Sequence, residues 1–119
     1  MQGVARGMTA EMLKGHLDAI LLSAVETGDV HGYAIIETIK QQSQGTFDLS
    51  EGTIYPALHR LEQAGLLVSR WTVPDSGRRR RIYSLTSSGR ASLEARRLGW
   101  VDFSTAINLF LGPAAPCPN

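Results

Sequence analysis

Arg78, Arg79, Arg80 and Arg81 stand consecutively in the segment PDSGRRRR. Guanidinium groups are permanently charged, planar donors that match phosphate oxygens two at a time, so this run is suited to binding a polyanion. A second group of chemically capable residues lies in EGTIYPALHRLEQAGLL, residues 51–67. There Ile54, Leu58 and Leu61 recur at i, i+4 and i+7, the buried stripe of an amphipathic helix. The remaining face holds Thr53, Tyr55, His59, Arg60 and Gln63. A helix that only faces water more often carries Glu and Lys, whereas these groups can hydrogen-bond and stack on base edges. His59 follows Tyr55 by one turn and shares its side.

Catalytic chemistry has little to work with. His16, His31 and His59 are far apart in sequence, Cys117 lies near the C-terminus, and no His/Cys/Asp spacing forms a metal site. No nucleophile elbow, phosphate loop or carboxylate pair is present. We therefore expect no enzyme activity, metal or cofactor. His31, ahead of Gly32 and Tyr33, reads as a structural cap. Trp100 has two readings: an aromatic in a subunit interface, where tryptophan is enriched, or the wall of a ligand cavity, where its face offers area and cation–π attraction.

Four helices and one hairpin are expected to position these groups. A first helix runs from Thr9, as N-cap, to about Glu26, with Leu13, Leu17, Ile20, Leu21 and Ala24 on its apolar side; Gly15 can break or bend it. A second runs from about Gly32 to Gln42, burying Ile35, Ile36 and Ile39, and stops before Gly45. The third is the 51–67 stretch, capped by Ser50 or Thr53 and stopped at Ala64-Gly65. Proline is tolerated in a first helical turn, where its missing N–H has no partner anyway. Pro56 meets that condition if Thr53 caps, and bends the helix if Ser50 does. Either arrangement leaves the helix start with unpaired N–H groups that favour phosphate.

After Gly65 the period changes. Leu66 through Val73 and Ile82 through Leu85 read as two strands joined by Pro, Asp, Ser and Gly, making a hairpin with a cationic tip. Alternation points Arg79 and Arg81 to one face and Arg78 and Arg80 to the other. From Thr86 a helix of about 25 residues, about 38 Å long, reaches Leu111. Its second half, WVDFSTAINLFL, is apolar on more than one side. Trp100, Val101, Phe103, Ile107, Phe110 and Leu111 are too much apolar surface for a monomer, so a homodimer is expected, with Leu13 and Leu17 joining the interface. The division is then a unit of three helices and a hairpin over 9–85, a dimerisation helix over 86–111 and a disordered tail over 112–119.

The formal net charge is only +1, but residues 60–97 hold nine Lys/Arg against three Asp/Glu, while residues 1–59 hold three against seven. Local field rather than net charge attracts phosphate. The single cysteine excludes an intrachain disulfide, no apolar run is long enough to span a bilayer, and no signal-like core opens the chain. A soluble, cytoplasmic protein is expected.

Three helices followed by a hairpin is the order of a winged helix-turn-helix, in which the third helix enters the major groove and the wing follows the backbone or minor groove. The motifs HGYAIIETI, EGTIYPALHRLEQAGLL and GRRRRIYSLTSSGR together resemble the PadR family of bacterial transcriptional regulators, across roughly residues 13–90. The resemblance implies a mainly α fold with a two-stranded β wing and one long C-terminal helix, as in the family's compact branch. It implies a dimeric repressor of a double-stranded DNA operator that responds to a small molecule, often a phenolic acid, drug or other xenobiotic. Ser50, Thr53, Tyr55, Pro56, His59 and Arg60 fall on the family's recognition helix, and Arg78, Arg79, Arg80 and Arg81 on its wing. RRLGWVDF resembles the C-terminal helix of drug-binding members, which implies that Trp100, bordered by Phe103 and Ile107, stacks on a planar aromatic effector. Glu51 departs from the family pattern, where proline is expected, and sets a carboxylate beside the DNA face. Two other classes of function stay open on the residues alone: a winged-helix protein–protein module that does not bind DNA, and a small-molecule carrier. Salt-dependent DNA affinity separates them from the first.

Overall fold

A computed structural model of the chain describes residues 13–73 and 77–112. The expected cap Thr9, the turn residues Pro74, Asp75 and Ser76, Cys117 and all of the tail but Gly112 lie outside the described residues. The elements are α1 (Leu17–Val25), β1 (Val30–His31), α2 (Gly32–Gln42), α3 (Glu51–Gln63), β2 (Leu67–Thr72), β3 (Arg80–Leu85) and α4 (Ser87–Leu111).

The first helix is shorter than its apolar pattern predicts. Gly15 takes a φ of +90°, a left-handed conformation that an α-helix cannot contain, so residues 13–16 form turns and the helix begins at Leu17. Leu13 nevertheless folds back into the core. The end of α3 falls where Ala64-Gly65 places it, and the hydrogen bonds say why. The Leu66 amide donates to the Leu61 carbonyl and the Gly65 amide to that of Glu62, with Gly65 at φ +81°. This is a Schellman closure, which a Cβ-free residue enters without strain. The same closure ends α2, but there Gln44, not glycine, occupies the left-handed position at φ 54°.

Leu21 and Leu22 of α1, Ile35 of α2, and Ile54, Leu58 and Leu61 of α3 are almost wholly buried, and Leu67 of β2 closes the cluster. The apolar stripe of α3 thus packs inward against α1 and α2, leaving its other face outward. Strands β2 and β3 form the expected hairpin of the wing, and a short further strand joins their sheet. The sheet has three antiparallel strands in the order β1-β3-β2, because Val30 and His31 pair with Tyr83 and Ile82. Strand β3 also starts earlier than Ile82 and takes Arg80 and Arg81 into the ladder opposite Thr72 and Trp71.

Helix α4 matches its predicted span. The Thr86 side chain caps it by accepting from the Gly89 amide at 2.9 Å, and its hydroxyl donates to the Gly65 carbonyl at 2.7 Å. One threonine therefore starts α4 and ties it to the end of α3. Leu93 is buried in the core, but beyond it Leu98, Trp100, Val101, Phe103, Ile107, Leu109, Phe110 and Leu111 are exposed. The helix projects from the body, and the molecule measures 55 × 31 × 23 Å.

Candidate nucleic-acid interface

Ser50 is the N-cap residue of α3, but its side chain bonds the Thr53 hydroxyl at 3.3 Å instead of a backbone amide. With the helix starting at Glu51, Pro56 lies in the second turn, not the first, so it removes a bond to the Gly52 carbonyl. Both Ser50 and Pro56 are exposed, as is His59, while Thr53 is half-buried.

Tyr55 rests on the start of α2. A Cβ built on Gly32 would lie 2.5 Å from Tyr55 Cε1, so this glycine makes room for the ring. About 37% of Tyr55 remains exposed. Burial, reinforced by the Glu51 carboxylate, pushes its phenol above the ordinary tyrosine value. The hydroxyl therefore stays protonated, and able to donate, at neutral pH.

The wing arginines divide by environment. Arg81 is tied down: its Nε donates to Ser69 Oγ at 2.9 Å, its Nη2 lies 3.6 Å from Glu62 Oε2, and Ser69 Oγ donates to that same carboxylate at 2.6 Å. Arg80 turns to the other side of the sheet, with Nη1 3.4 Å from His31 Nε2. His31 is the N-cap residue of α2, but its side chain makes no capping bond. Arg78 and Arg79 are exposed. Arg79 and Arg81 lie over the Trp71 ring, at 4.3 and 5.1 Å from its centroid. A cleft of about 600 Å³ runs between wing and α3, lined by Tyr33, Glu51, Tyr55, Trp71 and all four arginines.

Arg60 is placed differently from the other residues expected on the recognition face. Its guanidinium pairs with Asp18 of α1, which orients it along the helix–helix seam. Sequence reasoning also passed over the opposite side of the wing. There Asp29, in the α1–β1 turn, accepts from Ser84 Oγ at 2.6 Å and pairs with Arg70. The Ser84 hydrogen bond, and after it that from Arg70, holds the Asp29 carboxyl below its ordinary value.

Two apolar grooves flank α4. One, of about 610 Å³, includes Ile20, Phe47, Leu93, Arg96, Arg97 and Trp100 in its wall. The other, about 510 Å³, is walled by Leu13, His16, Phe47, Gly99, Trp100 and Phe103 among others. Trp100 borders both, and His16 meets its ring edge-on at 5.4 Å and 82°. Neither Asp102 nor Glu94 lines either groove. Of the residues expected at the subunit interface, Trp100, Val101, Phe103, Ile107, Phe110 and Leu111 are exposed on α4. Leu13 is a correction: it is only 5% exposed, because the turn at Gly15 folds it onto its own core, and Leu17 is half-buried beside it.

The chain matches the transcriptional regulator PadR-like family over residues 21–95. It belongs to that family. Transcriptional regulator Rv3488 of Mycobacterium tuberculosis is 42% identical over 77 residues, covering 65% of this chain and 68% of the relative. Among solved structures, a transcriptional regulator from Clostridium thermocellum superposes with a TM-score of 0.78 at 28% identity, over 87% of this chain and 97% of that one. A PadR family transcription regulator from Clostridium difficile gives 0.72 at 35% identity, over 82% and 100%. Membership of the PadR-like family makes this chain a transcriptional regulator, not an enzyme. Its winged helix with one long C-terminal helix is the architecture that it shares with these structures.

Proposed function

We propose that this PadR-like chain is a cytoplasmic, dimeric repressor that binds a duplex operator through α3 and the wing, and is released when a planar aromatic molecule binds beside Trp100. One observation carries the reading. Glu51 and Tyr55, on the first turns of α3, border a single cleft with the arginines of the wing, so the start of a helix that can enter a major groove lies beside a cationic hairpin that can follow the backbone. Thr53, Tyr55 and His59 are the base-reading candidates, and Ser50 and the opening amides of α3 serve the phosphate at the groove edge. Arg78, Arg79 and Arg80 supply the sequence-independent attraction. Arg60 and Arg81, already engaged with Asp18 and Glu62, act chiefly by orienting α3 and the wing.

Dimerisation is supported by the exposed stripe of Trp100, Phe103, Ile107, Phe110 and Leu111 on α4. Two copies joined there present two recognition helices. Half-sites one turn apart require a separation of about 34–36 Å, so a small rotation of α4 weakens binding. A ligand in the grooves at Trp100 lies between α1 and α4 and can drive such a rotation. Among the described residues the groove walls carry Arg96, Arg97 and His16 and no carboxylate, which favours a neutral or anionic aromatic over a cation. Titrating the protein with duplex from its own upstream region at several salt concentrations tests the reading. Selective binding with a steep negative salt slope supports it. Affinity that is absent, or indifferent to salt, leaves a protein–protein module as the better account.

A further inference from the structure

We propose that Trp71 is a positioning residue for DNA binding: its indole holds the Arg79 and Arg81 guanidinium groups so that Arg79 is presented, ordered, to a backbone phosphate. This rests on the DNA-binding reading above. Trp71 is half exposed and lies outside the buried core cluster, so core packing does not account for so large an aromatic on the wing. Its register partner in the ladder is Arg81, and both arginines sit within cation–π distance of its ring.

The two cations are not equivalent. Arg81 is balanced by Glu62 and fixed by Ser69, so it anchors the inner side of the stack. Arg79 has no carboxylate within ion-pair distance among the described residues. Its charge is therefore the one on offer. A free arginine must give up many rotamers to grip a phosphate, and one already resting on a ring gives up fewer. Strand β2 fixes the indole, the indole fixes Arg79, and the wing tip arrives preorganised.

The experiment compares the full-length parent, Trp71→Leu, Trp71→Phe, Arg79→Ala and Trp71→Leu/Arg79→Ala on duplex from the chain's own upstream region, across a salt series. A surface cation–π contact corresponds to about a two- to five-fold affinity change. Trp71→Leu is expected to lose about that factor and to flatten the log–log salt slope by up to about 0.9, the contribution of one phosphate contact. Trp71→Phe, which keeps a π face, is expected to recover most of both. Adding Trp71→Leu to Arg79→Ala is expected to cost little more than Arg79→Ala alone. In DNA-free protein, the Arg79 Nε–H resonance should move on Trp71→Leu, a readout that survives any change in affinity. Normal parent binding with Trp71→Leu unchanged, or a Trp71→Leu loss that is undiminished without Arg79, overturns the platform alone. A parent that binds no DNA overturns the DNA-binding reading and the platform with it.

Discussion

A methyl group at Gly89 would collide with the Leu66 carbonyl oxygen and stand 3.2 Å from Leu85 Cδ2. The first of these contacts is backbone, which cannot swing aside as a side chain can. Overpacking of this kind costs about 1–3 kcal/mol, so Gly89→Ala should shift urea unfolding by that amount and loosen α4 from the wing. Asp29 gives a prediction in pH. Its folded carboxyl is held below the ordinary value by Ser84 and Arg70. A depressed folded pKa stabilises above the unfolded pKa, and that contribution is lost as pH falls through the folded one. The stability gap between the parent and Asp29→Asn should therefore be open at neutral pH. It should begin to close below about pH 4, the ordinary aspartate range, and vanish in stronger acid. A gap that is constant with pH means that the Asp29 carboxylate is not what fastens the wing to the α1–β1 turn.

Among the elements, α4 carries two jobs on one rod. Its first turns belong to the core through Leu93 and are locked to α1 by Arg97, whose guanidinium bonds Glu26 twice, at 3.0 and 2.7 Å. Its last three turns present an apolar stripe to solvent. Replacing Phe103 and Ile107 by Glu puts two carboxylates where a partner helix would have to desolvate them, which costs several kcal/mol. Sedimentation at micromolar concentration should then report a single-chain mass with the helical circular dichroism of the parent. If the variant keeps the parent's mass above one chain, the subunits meet elsewhere. In α3, by contrast, the inward stripe serves stability, and under the proposed DNA-binding reading the outward face serves recognition, so changes at Thr53 or His59 should alter DNA selectivity with little effect on unfolding.

At the scale of the whole molecule, the grooves around Trp100 and the wing cleft have different linings, and α1 connects the grooves to α3. Helix α1 sends Ala19 and Ile20 to the grooves and Asp18 to Arg60 of α3. A planar aromatic that enters beside Trp100 should quench its emission, measured in a Trp71→Phe background to remove the wing signal. Linkage then requires that the compound weaken operator binding by the factor by which operator weakens the compound. Trp100→Ala should lose both effects together. If it still binds such compounds and releases DNA as the parent does, the effector site is not at Trp100.

The spans of α2, α3 and α4, the Thr86 cap, the Gly65 stop and the existence of the wing were all legible in the residues. Each is governed by contacts between near neighbours: hydrophobic period, capping, and the conformational freedom of glycine. The three family motifs carried the class of function, because they bring together the residues of a recognition helix and a basic wing. Strand β1 was not legible, since two residues are too few to show a period and their partners Tyr83 and Ile82 lie about fifty positions later. For the same reason nothing local marked Arg60 as the partner of Asp18, 42 positions earlier, or Arg81 as the partner of Glu62. Leu13 looked like interface and became core once Gly15 turned the chain back. Residue type and spacing determined which groups could meet phosphate or an aromatic ring. Which arginines are left to do so was decided only when the fold assigned carboxylates to some of them, because an ion pair depends on distance in space and not on order along the chain.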